Sequence, residues 1–86
     1  MKTIYSPESK RLSDWLREQR EASGLSMREA AQIIGKPHSF IGNIEVGQRR
    51  LDVVEFIWYC EKLGFDPLEG MNRIRQGIQL VRDEPA

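Results

Sequence analysis

Ser26-Met27-Arg28-Glu29-Ala30-Ala31-Gln32-Ile33-Ile34-Gly35-Lys36-Pro37-His38-Ser39-Phe40-Ile41-Gly42-Asn43-Ile44-Glu45-Val46-Gly47 reads as two short helices joined by a tight turn. Ser26 and Glu29 form a capping box: the serine oxygen takes one orphan amide and the glutamate reaches back to the cap amide. Ala30, Ala31, Ile33 and Ile34 carry the first helix to Gly35, a residue free to adopt the left-handed conformation that ends it. The second helix begins near Pro37 or His38, buries Ile41 and Ile44, and stops at Gly47. Such helices cross closely only where a small residue sits at their approach, and Ala31 supplies it. His38, Ser39, Gly42 and Asn43 then face outward.

The flanking sequence predicts three more helices and no strand. Ser6-Pro7 starts the first, with Ser6 as cap and proline in its favoured first position; Leu12, Trp15, Leu16 and Ala22 form its apolar stripe, and Gly24 ends it. Asp52-Val53-Val54-Glu55 repeats the capping box and opens a helix that Gly64 closes; Asp66-Pro67-Leu68-Glu69 repeats it again, with proline in its favoured first position, and opens the last. In that last segment Leu68, Met71, Ile74, Ile78 and Val81 recur at helical spacing, against a cost of about 1 kcal/mol each for Gly70 and Gly77. Residues from Arg82 to Ala86 read as a frayed tail.

A chain of 86 residues, 40% hydrophobic and 30% charged, accommodates one domain and one modest core. The domain runs over 1–86, with its core in about 8–69 and the segment 67–82 as a candidate dimer element. Cys60 is the only cysteine, which excludes an intrachain disulfide; with His38 the only histidine, no metal centre or other cofactor is expected. Within Val53–Cys60 the thiol reads as a small buried hydrophobe. That run is too short to span a membrane, and Met1 to Glu8 lacks a secretory pattern, so the expected location is cytoplasmic. Net charge is zero, but it is divided: nine cations face six anions up to Arg50, and four face seven from Leu51 on. The basic part suits phosphate while the acidic part faces away.

Several constrained positions agree with one family. Leu25-Ser26 through Gly35, then Ser39-Phe40-Ile41-Gly42-Asn43-Ile44-Glu45-Val46-Gly47, with Arg20 before them and Leu63-Gly64-Phe65-Asp66 after, resembles the Cro and lambda-repressor (XRE) type of helix-turn-helix. The resemblance covers about Leu12 to Leu68. It implies an all-α, five-helix domain, the helix-turn-helix at about 26–47, and double-stranded DNA as partner. It also implies a structural ion pair between Arg20 and Glu45. His38, Ser39 and Asn43 are the candidate base readers, since a recognition helix turns its N-terminal residues toward base edges. Ser26, Arg28, Lys36, Arg49 and Arg50 are the candidate phosphate contacts. The chain departs from the pattern at Met27, where a glutamine commonly braces the recognition helix, and at Pro37 and Lys36, which stand where a hydroxyl cap and an apolar residue are usual. Phe40 is large for its position and either packs on the preceding helix or touches a thymine methyl.

On the fourth helix the spacing of Val53, Phe56, Ile57, Cys60 and Leu63 predicts one buried face. Val54 and Trp58 project elsewhere and require cover, from the C-terminal segment or from a second subunit. Together with Met71, Ile74 and Ile78 they form the candidate dimer surface. The leading reading is a regulator, foremost a repressor, that reads an inverted repeat as a homodimer. The alternatives are an antitoxin-type regulator that also binds a toxin, and an interaction module without DNA binding. No carboxylate pair, nucleophile–histidine set or phosphate loop points to an enzyme.

Overall fold

The computed structural model describes residues 7–82, with side chains from 8 to 78; the Ser6 cap and the end of the tail lie outside them. Five helices follow one another: α1 (Pro7–Ala22), α2 (Met27–Ile34), α3 (His38–Glu45), α4 (Val53–Leu63) and α5 (Pro67–Arg82). Their ends carry the chemistry that short helices need, because an isolated eight-residue helix is marginal in water. Ser26 Oγ accepts from the Glu29 amide at 3.0 Å, and Glu29 Oε1 accepts from the Ser26 amide at 2.8 Å. Gly35 then ends α2 at φ 80°, its amide donating to the Ala31 carbonyl. Asp52 and Glu55 build the same reciprocal cap on α4. Before α5, Asp66 Oδ1 accepts from the Leu68 amide at 3.1 Å.

One apolar cluster binds the helices. Trp15 and Leu16 of α1 meet Ala30, Ala31 and Ile34 of α2, Ile41 and Ile44 of α3, and Phe56, Tyr59, Cys60 and Leu63 of α4, with Phe65 closing one side. The Trp15 ring lies 6.3 Å from that of Phe56 and packs edge-on to Phe65 at 6.2 Å. Burial of the Cys60 thiol among these groups pushes its pKa up to about 12, so it packs as an apolar side chain. Among the described residues no helix is long and apolar enough to cross a membrane.

The structure corrects several expectations. Val53 is 69% exposed, because the buried face of α4 runs through Phe56, Tyr59, Cys60 and Leu63 and leaves the first turn free. Tyr59, which apolar spacing passed over, is instead among the most buried side chains. Ala22 is exposed, lying in the final turn of α1 beyond the core. Trp58 is half-buried against the chain's own core, so its cover is at least partly internal. Met71 likewise packs on that core, and Ile74 is half-buried.

α5 packs chiefly along α1, and its two glycines face tightly filled space. A Cβ at Gly70 would lie 2.8 Å from both Trp15 and Phe56; one at Gly77 would lie 2.7 Å from the Glu8 backbone. The helix propensity lost at these residues makes room for the Trp15 and Phe56 rings at Gly70 and for the α1 backbone at Gly77. Arg73 pairs with Glu18 at 3.5 Å, and Arg11 donates to Gln76 Oε1 at 3.2 Å, along the same seam.

Candidate nucleic-acid interface

α3 has two faces, set by its 3.6-residue period. Ile41, Ile44 and Glu45 point into the bundle and are buried. His38, Ser39 and Asn43 are exposed together on the opposite arc, with half-buried Gly42 between them. Val46, 60% exposed just past the helix, continues that arc. Sequence reasoning missed it, although its spacing of seven from Ser39 was the available signal.

The end of α3 is fastened from behind. Arg20 Nε donates to Glu45 Oε2 at 2.7 Å and Nη2 to Oε1 at 3.0 Å, a bidentate pair between side chains 9% and 1% exposed. Arg20 Nη1 donates to the Leu25 carbonyl at 2.8 Å, so one guanidinium joins α1, the α1–α2 turn and α3. The hydrogen bonds to Glu45 push the Arg20 pKa further up, against the desolvation that opposes its charge.

The front of α3 is built differently. Pro37 holds the N-cap position with no side-chain hydrogen bond, and the helix begins at His38. Phe40 is half-buried against the core and turns toward Tyr59 on α4, the ring centroids 6.4 Å apart. Met27 lies against the same helix: its sulfur would sit 3.9 Å from a Cβ at Gly42, an apolar contact where the related pattern has a glutamine.

The cations fall into two groups. Arg28 and Lys36 are exposed beside α2 and the turn that follows it, Lys36 with its ammonium 5.7 Å from the Phe40 ring. Arg49 and Arg50 lie on the α3–α4 loop, turned onto the protein. Arg49 Nη2 donates to Glu55 Oε2 at 2.9 Å, and its guanidinium stacks 4.9 Å from the Phe40 ring. Arg50 Nη2 donates to Ser9 Oγ at 2.9 Å. At the start of α2, exposed Ser26 is occupied by its capping bond, while the next amides have no intrahelical acceptor available by geometry.

The comparisons agree with this architecture. A helix-turn-helix family model matches residues 16–69. The restriction-modification controller protein C.AhdI from Aeromonas hydrophila is 32% identical, with a TM-score of 0.65, over 72% of this chain and 94% of that one. An XRE-family like protein from Pseudomonas syringae pv. tomato str. DC3000 is 36% identical, with a TM-score of 0.71, over 80% of this chain and 84% of that one. No curated protein matches the sequence. The chain belongs to the XRE-type helix-turn-helix family of DNA-binding regulators.

Proposed function

We propose that this protein is a transcriptional regulator, acting as a repressor, that binds an inverted repeat as a homodimer with α3 in the major groove. The carrying observation is the outward arc of α3, where His38, Ser39 and Asn43 stand exposed on a helix fastened from behind through Glu45. Asn43 has the amide to pair with adenine, Ser39 donates or accepts, and His38 suits a guanine acceptor. The amides after Ser26, with Arg28 and Lys36, meet phosphate on one flank, and Arg50 meets it on the other by leaving Ser9. The similarity to a restriction-modification controller supports the regulatory reading. Occlusion of a promoter is the simplest mode of repression for a helix-turn-helix domain seated in the major groove.

The second copy docks on the apolar surface left by α4 and α5. Val53, Val54 and Leu68 are each about two-thirds exposed or more, and Ile78 is exposed at the edge where Met71 and Ile74 are partly covered. Trp58 contributes its uncovered part. A symmetric dimer places two recognition helices about one DNA turn apart.

Selection of bound DNA from a random pool, at two salt concentrations, tests the reading. The expected product is a symmetric motif; recovery of no motif sinks it. Sedimentation of Val54→Lys tests the dimer surface, and unchanged dimerisation counts against it. Stoichiometric co-purification of an unrelated protein bound to this surface would favour an antitoxin-type regulator instead.

A further inference from the structure

Phe40 is the third residue of α3, and its ring packs among groups from three other parts of the chain. Tyr59 of α4 lies on one side, with Lys36 from the α2–α3 turn and Arg49 from the α3–α4 loop at 5.7 and 4.9 Å. Arg49 is committed on its edges as well. Its Nη2 donates to Glu55 Oε2 at 2.9 Å and its Nη1 to the Arg50 carbonyl at 2.9 Å. Glu55 divides its carboxylate, because Oε1 also accepts from the Asp52 amide at 3.1 Å to close the α4 cap. One acidic side chain thus caps α4 and holds the cation that covers the aromatic ring of α3.

This arrangement stands where the helix has no side-chain cap of its own. We infer that Arg49 is a positioning residue for base recognition: held by Glu55, it keeps Phe40 against Tyr59 and so fixes the front turn of α3 that presents His38 and Ser39, without itself contacting phosphate. The inference rests on the DNA-reading function proposed above. A planar guanidinium both stacks on a ring and forks onto a carboxylate, which an ammonium does not do. Base contacts are hydrogen bonds of fixed direction, and a shift of about 1 Å in the helix front spoils them while leaving backbone contacts serviceable. The Arg49 hydrogen bond, followed by that of the Asp52 amide, holds Glu55 below the usual carboxylate range, so the clamp is ionised at neutral pH.

The test measures binding of the full chain to its selected operator and to a scrambled duplex of equal length, across a salt series. Wild type, Arg49→Lys, Arg49→Ala and Glu55→Gln are compared, glutamine being an accepted capping-box residue. Arg49→Lys and Arg49→Ala are expected to lower the operator-to-scrambled ratio about tenfold, with the salt slope on scrambled DNA unchanged. Glu55→Gln should lower the ratio in the same direction. A phosphate contact predicts otherwise: Arg49→Lys keeps the wild-type ratio, and Arg49→Ala weakens both duplexes and flattens the salt slope by about one. That pattern, or an unchanged ratio in all three variants, overturns the clamp while leaving the DNA-reading function intact. A wild-type chain that fails to discriminate between the duplexes overturns both. Arg49→Lys decides the matter should Arg49→Ala not fold.

Discussion

The two ends of α3 are held by opposite means. At its C-terminal end Glu45 is 1% exposed and gripped by two nitrogens of Arg20. At its N-terminal end Pro37 offers no side-chain cap, and the fastening is the Phe40 stack with an Arg49–Glu55 pair whose side chains are 39% and 36% exposed. A buried pair is costly to break because either partner left alone is a stranded charge, whereas an exposed pair contributes little and is screened by salt. An eight-residue helix thus has its two ends held by unequal means. One end is locked to the bundle by a buried pair, and the end that would meet base edges is held by weaker, more exposed contacts.

Breaking the strong end should have the largest effect. Glu45→Ala leaves Arg20 with the Leu25 carbonyl and, at 3.9 Å, the exposed Glu21 as its remaining partners. The expected cost is about 3–5 kcal/mol. For a chain of this size that lowers Tm by about 12 °C or more, read by thermal unfolding followed by circular dichroism. A double variant replacing Arg20 and Glu45 with apolar residues should recover much of the loss. A loss under about 1 kcal/mol in the single variant would mean that both ends of α3 are fastened equally weakly.

The unequal ends also explain what could be read from sequence. Helix number, order and boundaries were legible because they depend on local chemistry: the Ser26–Glu29 and Asp52–Glu55 boxes and the glycine stops act within a few residues. The outward position of His38, Ser39 and Asn43 followed from helical period alone. What stayed hidden depends on contacts distant in sequence. Gly70 and Gly77 read as helix-weakening until α1 is placed against them. Tyr59, polar at its tip, was passed over by apolar spacing, although the bundle closes around it. Arg49 looked like a loop cation aimed at phosphate. Only the fold brings it to Phe40, and its bond to Glu55, six residues on, depends on the path of the intervening loop.

Intermediate effects are expected at the caps and at the glycine within α3. Ser26→Ala removes the acceptor for the Glu29 amide and should destabilise the chain by about 1 kcal/mol. Gly42→Ala should act in the other direction, by about 0.5–1 kcal/mol. Among the described residues, the side chain within 4 Å of the added methyl is Met27, whose sulfur at 3.9 Å is at ordinary contact distance. Urea midpoints at constant slope measure both. If Gly42→Ala destabilises instead, the Met27 contact is tighter than its distance indicates and the helix front has no room for a methyl group.

The smallest effect, and the one that separates the two ends most cleanly, is electrostatic. The Glu55 carboxyl is held below its usual range by Arg49 first and by the Asp52 amide second. A carboxyl depressed on folding stabilises the folded state above its unfolded pKa, and that contribution is lost as pH falls through the folded value. The Tm difference between wild type and Glu55→Gln should therefore be greatest near neutral pH and close progressively on acidification. It should also shrink in molar salt, where the Debye length falls to about 3 Å. The Glu45→Ala difference at neutral pH should survive that salt, because the bidentate pair is closed off from water. Thermal unfolding of the two variants at low and high salt, with a carboxyl NMR titration of Glu55, makes both measurements. Equal salt sensitivity at Glu45 and Glu55 would show that burial does not distinguish the two fastenings.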